Sequence, residues 1–244
     1  MSRHGLMHDL LAPIDLRSCG SAHLFIDGGT NMAESVNAFY GGAMHKCALH
    51  SPNRLYGNWW QTASAAQRAA RVAALTDPKS WCVRSFEANP KLHPALHLQE
   101  ESQRGDGLNV RYIDGLLGTA TSRHHPRKVV TYSREPSGSG ATIFDWKEIH
   151  FAGVPPILEE EIMVGPAYDV REVVAEALRL QPQREIALKL DVEGGEFSIL
   201  DALMEPLEPL ASPPQPPLLC NVSYLFVEYH NLHANMSKCA AKCR

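Results

Sequence analysis

A chain of 244 residues with 44% hydrophobic and 20% charged residues has the make-up of a globular protein long enough to bury a real core, as one large domain or two small ones. Its formal net charge of -4 excludes a nucleic-acid surface driven by bulk electrostatics, and the chain contains no run of about eighteen apolar residues that would span a bilayer. The local basic run Arg123-His124-His125-Pro126-Arg127-Lys128 reads as a solvated loop rather than a phosphate-binding patch.

The stretch from Met1 to Pro13 lacks the apolar core of a signal peptide. The six cysteines (Cys19, Cys47, Cys82, Cys220, Cys239 and Cys243) are scattered without a CxxC, and Cys239-x-x-x-Cys243 has no second pair to complete four zinc ligands. The expectation is reduced thiols, no metal centre and a cytoplasmic location. Two sequons, Asn221-Val222-Ser223 and Asn235-Met236-Ser237, would matter only in a secretory compartment and are read as chance.

In chain order, Leu24-Phe25-Ile26-Asp27 predicts a strand closed by an acid, and Gly28-Gly29-Thr30-Asn31 a turn into a helix from Met32 to about Tyr40. Glu34 near the start of that helix suits its dipole. Residues 44–80 read as an insertion, with turn-like Ser51-Pro52-Asn53 and Tyr56-Gly57-Asn58 and an Ala-rich helical stretch from Ala63 to Leu75. A second strand is expected from Cys82 to Glu87, a helix from about Lys91 to Gln103, and a third strand from Asn109 to Asp114, running into Gly115-Leu116-Leu117-Gly118. Val129 to Tyr132 and Ile162 to Val164 are short strand candidates on either side of a flexible Ser137-Gly138-Ser139-Gly140 loop.

Helical periodicity then runs from Tyr168 to Leu180, with Val170, Val173, Val174, Ala177 and Leu178 on one side. Ile186 to Val192 predicts another strand, broken at Gly194-Gly195 and followed by a helix from about Phe197 to Met204. Six prolines between Pro206 and Pro217 make residues 205–218 a loop that no helix crosses. Tyr224 to Tyr229 is the last expected strand. Strands alternating with helices predict a mostly parallel sheet covered on both faces, in one domain over 1–244 with an N-terminal extension at 1–21.

The chemistry concentrates at strand ends. Lys189, Asp191 and Glu193 sit at the end of an apolar strand, where buried charges are tolerated only if they face a cavity or one another. The C-terminal edge of a parallel sheet is also where open α/β folds bind ligands. Asp27-Gly28-Gly29-Thr30-Asn31 would let a ligand approach bare backbone, but lacks the third glycine of the G-x-G-x-x-G dinucleotide fingerprint. Glu87, at the end of the next strand, is placed to accept from two ribose hydroxyls. Its separation from Asp27 exceeds the ~20 residues of a compact nucleotide-binding unit, and the 44–80 insertion accounts for the excess.

Three blocks in order, Leu24-Phe25-Ile26-Asp27-Gly28-Gly29-Thr30-Asn31, Ser85-Phe86-Glu87-Ala88-Asn89-Pro90 and Lys189-Leu190-Asp191-Val192-Glu193-Gly194-Gly195-Glu196, resemble the signatures of the FkbM family of methyltransferases that use S-adenosyl-L-methionine (SAM). Phe226-Val227-Glu228-Tyr229-His230 is similar to the family's following strand, and the likeness covers about residues 22–231. The resemblance implies a class I SAM-methyltransferase fold, a Rossmann-like three-layer α/β sandwich with SAM lying over the C-terminal strand ends.

Carried over by position, the resemblance puts Asp27, Gly29 and Asn31 at the methionine and ribose, Glu87 on the ribose hydroxyls, and Asp114 with Gly115 and Leu116 beside the adenine. Asp191 and Glu193 would stand near the sulfonium and the acceptor. Transfer to a neutral hydroxyl is helped by a general base, for which Asp191, Glu193 and His230 are the candidates, with Lys189 orienting a carboxylate. The expected activity is O-methylation of a small-molecule or glycan acceptor. The segment from Leu232 to Arg244 is too short and too polar to supply the usual C-terminal strand pair. The sheet is therefore expected to end early, leaving an edge along which two copies could form a homodimer. A degenerate methyltransferase-like binding protein without turnover is the alternative, and a nicotinamide-dependent oxidoreductase, disfavoured by the missing glycine, comes third.

Overall fold

The computed structural model describes residues 14–40, 64–66, 77–120, 128–132, 141–142, 159–163, 166–192, 195–206 and 216–228. In chain order its elements begin with β1 (His23–Gly28), α1 (Glu34–Tyr40), β2 (Trp81–Glu87), α2 (His93–Gly105), β3 (Asn109–Asp114) and β4 (Leu116–Gly118). Next come β5 (Lys128–Tyr132), β6 (Ala141–Thr142), β7 (Glu159–Met163), β8 (Ala167–Asp169) and α3 (Val170–Leu180). The last are β9 (Ile186–Leu190), α4 (Glu196–Met204) and β10 (Tyr224–Val227).

Five strands form one sheet in the order β10-β9-β1-β2-β3, and every pairing in it is parallel. Parallel sheets must be covered on both faces, so their strands are apolar nearly throughout. All seven residues of β2 are buried, as are Leu24, Phe25 and Ile26 of β1. Alternation then sorts the side chains into two cores. Leu24, Ile26, Phe86, Leu188 and Leu190 pack with Val170, Val173, Val174 and Ala177 of α3 and Ile199, Leu200 and Leu203 of α4. Phe25, Val83, Val110, Tyr112 and Ala187 face the other way, onto Val36 and Phe39 of α1 and Leu96 of α2. The result is helix, sheet, helix in three layers.

The helix α3 forms because its buried residues recur at i, i+3, i+4 and i+7, and because Asp169 caps it by accepting from Arg171 N at 2.9 Å. Tyr168 is a correction to the expected helix. It lies in β8, which pairs in parallel with β4 as Leu117↔Tyr168, so the chain stays extended until the Asp169 cap. The short candidates at 129–132 and 162–164 fall on strands β5 and β7, with residue 164 outside the described residues, and the two strands pair antiparallel with each other and, through β5, with β6. Both Pro206 and Pro217 survive as the two sides of an isolated bridge, so the Pro-rich loop leaves and returns at one place. Most of the 44–80 insertion lies outside the described residues. Among the described residues no helix is long and apolar enough to cross a membrane.

The extension expected at 1–21 is in part core. Leu16 and Cys19 are buried against β1 and β2, and Cys19 is disulfide-bonded to Cys82 of β2. Cys220 is also disulfide-bonded. The reduced-thiol expectation fails for these residues: sequence spacing says nothing about distance in space, and the fold lays residues 14–19 over the inward face of β2. Arg84 reinforces the attachment. Its buried guanidinium donates to Asp15 O at 2.8 Å, Ser18 Oγ at 2.7 Å and Val83 O at 2.8 Å, and burial pushes it down to about 10.

Candidate functional site

Chain order and spatial order diverge at one place. From β1 the sheet grows outward through β2 and β3, and the chain then crosses over to lay β9 and β10 on the other side. The reversal lies between β1 and β9, and open α/β sheets bind ligands in the crevice outside the carboxyl ends at such a point. Asp27↔Lys189 and Gly28↔Leu190 are in register across it. Asp27, Gly29, Lys189 and Asp191 are therefore neighbours because of topology.

The backbones of the two strand ends touch. Asp191 N donates to Gly28 O at 3.0 Å, and Gly29 adopts φ 78. A Cβ at Gly29 would overlap Asp191 O, so only glycine serves there. The turn continues with Asn31 at φ 51 and Ala33 at φ 64, two non-glycine residues held in the left-handed region. Backbone of this kind costs energy and clusters at functional sites.

Beneath that turn lies a charge network. Asp27 is 0% exposed, and its Oδ2 accepts from Ser35 Oγ at 2.6 Å and Ser85 Oγ at 2.8 Å. The Lys189 ammonium is 3.5 Å from Asp27 Oδ1 and donates to Gly29 O at 2.6 Å and Asp191 Oδ2 at 3.0 Å. One cation thus ties both strand ends and the glycine turn together. Asp27 Oδ1 has only that ion pair, and two buried polar atoms of the turn, Thr30 Oγ1 and Asn31 Oδ1, make no hydrogen bond at all. Such atoms are rare in a folded chain and call for a partner.

Glu87 stands one strand over. Its Oε2 accepts from Asn31 N at 2.9 Å and its Oε1 from Asn89 N at 2.8 Å. Burial pushes its carboxyl up to about 7, with the nearby Asp27 adding to the rise, although the two N–H groups and Lys189 favour the anion. Asp114, at the end of β3, is half exposed and held by two histidines of α2: His97 Nε2 at 3.0 Å and His93 Nδ1 at 3.5 Å from its Oδ1. His93 Nε2 lies 2.9 Å from Glu87 O, so one imidazole spans the ends of β2 and β3. Leu116 is buried in β4, its N–H donating to Pro166 O at 2.9 Å.

Of the residues singled out from sequence, Asp27, Gly29, Asn31, Glu87 and Asp191 come together, with Asp114 at the outer end of the same edge. Glu193 and His230 lie outside the described residues. Ser35, Ser85, His93 and His97 were missed. Ser85 is opposite Asp27 in register, a relation that needs the strand pairing, whereas His93 and His97 carry an i, i+4 helical signal. Glu196 is fully buried, and its Oε1 accepts from Val192 N at 3.1 Å, which assigns it to shaping the turn after β9. Among the described residues no group of three or more His, Cys, Asp or Glu is placed to hold a metal ion. No protein-family model, no curated protein and no solved structure matches the chain.

Proposed function

We propose that the chain is a SAM-dependent methyltransferase that methylates oxygen on a small-molecule or sugar hydroxyl. The observation that carries the reading is the switch point itself, where a glycine turn pressed against Asp191 O adjoins Glu87 at the neighbouring strand end. The fit to a nucleoside cofactor rests on Glu87 at the neighbouring strand end and on the buried Thr30 Oγ1 and Asn31 Oδ1, which make no hydrogen bond. Glu87 would hold the ribose hydroxyls, since each of its oxygens takes one backbone N–H and keeps a second lone pair. Asp114 would face the adenine, and Gly29 with Asn31 the methionine and ribose.

When bound, SAM supplies a methyl group on a sulfonium, a carbon that already carries a good leaving group. The protein then contributes positioning and exclusion of water, and a base for the acceptor hydroxyl. Asp191 is a quarter exposed and reaches toward solvent, which makes it the base candidate among the described residues, with Glu193 and His230 proposed from the resemblance. A second reading is a methyltransferase-like binding protein without turnover. It is favoured by Lys189, whose ammonium already engages Asp191 Oδ2. A homodimer and an acceptor of glycan type belong to the same proposal.

Calorimetric titration with SAM and with NAD tests the cofactor. Binding of SAM and not NAD is expected, and no SAM binding at millimolar concentration sinks the reading. A Glu87→Ala variant that binds SAM as well as the parent overturns the ribose assignment. Methyl transfer from labelled SAM across an acceptor panel then separates the enzyme from the binder.

A further inference from the structure

We infer that the chain matures in an oxidising compartment and carries an N-linked glycan on Asn221, at the end of the sheet opposite the candidate site. Two independent features lead there. The first is redox state. Cys19 and Cys82 are 4% and 0% exposed and joined to each other, and Cys220 is disulfide-bonded as well. Glutathione and thioredoxin keep cytosolic thiols reduced, so structural disulfides are found in secretory and extracellular spaces.

The second feature is the acceptor. Asn221 opens the sequon Asn221-Val222-Ser223 and is exposed, at the end of the 3-10 turn Leu218–Asn221. Its amide makes one long contact, Nδ2 donating to Leu218 O at 3.4 Å, so the substituted nitrogen forfeits little. The turn feeds directly into β10, whose Tyr224 pairs with Ala187 near the start of β9. From Ala187 to Asp191 a strand advances about 13 Å, and Asn221 lies further back still. A glycan there leaves the carboxyl ends of the strands open.

The chemistry balances without the protein's own cleft. In closing the disulfide, the Cys19 and Cys82 thiols together lose two protons and two electrons to a disulfide-bearing oxidant, which becomes a dithiol. In glycosylation, Asn221 Nδ2 bonds the anomeric carbon of a lipid-pyrophosphate oligosaccharide. The C–O bond to the pyrophosphate breaks with its electron pair on the leaving group, and the amide yields one proton to the transferase.

The test uses the full chain isolated from its native cells with iodoacetamide present at lysis and digested without reduction. The expected result is a linked Cys19–Cys82 peptide pair, and an Asn221 peptide seen free of glycan only after a glycan amidase, and then at the mass of its aspartate form. Ser223→Ala should abolish the glycan and Ser223→Thr should retain it, both with the linked pair intact as the check on folding. Alkylated Cys19 and Cys82 overturn the inference, and so does an unmodified Asn221 beside a linked pair. Neither readout involves SAM, so failure here and failure of the methyltransferase reading are separate events.

Discussion

Replacing Glu87 with Gln removes a buried charge and an acceptor together, and pH separates the two effects. Glu87 is 7% exposed, and burial raises its carboxyl from 4.5 to about 7. Across that window the folded chain holds a proton that the unfolded chain has released, so stability falls as pH rises. The full effect is present below the unfolded value of 4.5 and is lost as pH passes through about 7, a cost of about 3 kcal/mol. Gln cannot ionise and lacks this decline. It does keep only one oxygen for the N–H groups of Asn31 and Asn89, and the mismatched donor costs about 1–3 kcal/mol. The variant should therefore be less stable than the parent by about 1–3 kcal/mol in acid and, by about pH 8, between level with it and about 2 kcal/mol more stable. Urea denaturation at a series of pH values gives the free-energy difference directly. A difference that climbs by about 3 kcal/mol across the series supports the reasoning; parallel profiles would refute it, because they would mean that Glu87 ionises as easily folded as unfolded.

Gly29→Ala places a side chain at φ 78 against Asp191 O and should cost about 2 kcal/mol or more, seen as a fall of about 4–8 °C in thermal melting. Lys189→Met strips the cation from a carboxylate that is 0% exposed and should cost about 3–5 kcal/mol. Adding Asp27→Asn should recover most of that loss, and a double-mutant cycle that shows simple additivity removes the buried pair from the account. Reducing Cys19–Cys82 releases a crosslink spanning a sequence separation of 63 and should lower stability by about 4 kcal/mol in the chain-entropy account. With both reduced, so that the Cys220 bond is open in each, the parent and a Cys19→Ser/Cys82→Ser variant should share one urea midpoint, and an unchanged parent midpoint on reduction contradicts the staple.

The parts of the fold that could be read from sequence are those whose signal is local. Asn109 to Asp114 is a strand with the expected bounds, and the i, i+3, i+4, i+7 stripe of α3 is where periodicity puts it. β4 and β8 escape such reading because each has three residues and exists only through the other. Tyr168 therefore looks like the first turn of the helix that its neighbours form. The Cys19–Cys82 bond escapes for the same reason, since nothing near either cysteine encodes that residues 14–19 fold back on β2.

The candidate site divides along a similar line, and the division bears on chemistry. That Asp27, Glu87 and Asp191 each close a strand follows from the sequence pattern, but that those strands are neighbours comes from the sheet pairing, and what each carboxylate does depends on its surroundings. Asp27 is sealed, with two hydroxyls on one oxygen and an ammonium facing the other, so its work is to hold Lys189 in place. Lys189 in turn grips Gly29 O and Asp191 Oδ2, which fixes the shape of the glycine turn and the direction of Asp191. Glu87 spends one acceptor direction of each oxygen on the backbone and is buried, at 7% exposed. Asp191 alone of the three keeps a quarter of its side chain in solvent. Three carboxylates that look alike in sequence thus separate into a sealed anchor, a group held by two backbone N–H donors and a group that reaches solvent. The order follows from burial: the deeper the carboxylate, the more of its hydrogen bonds the protein must itself supply.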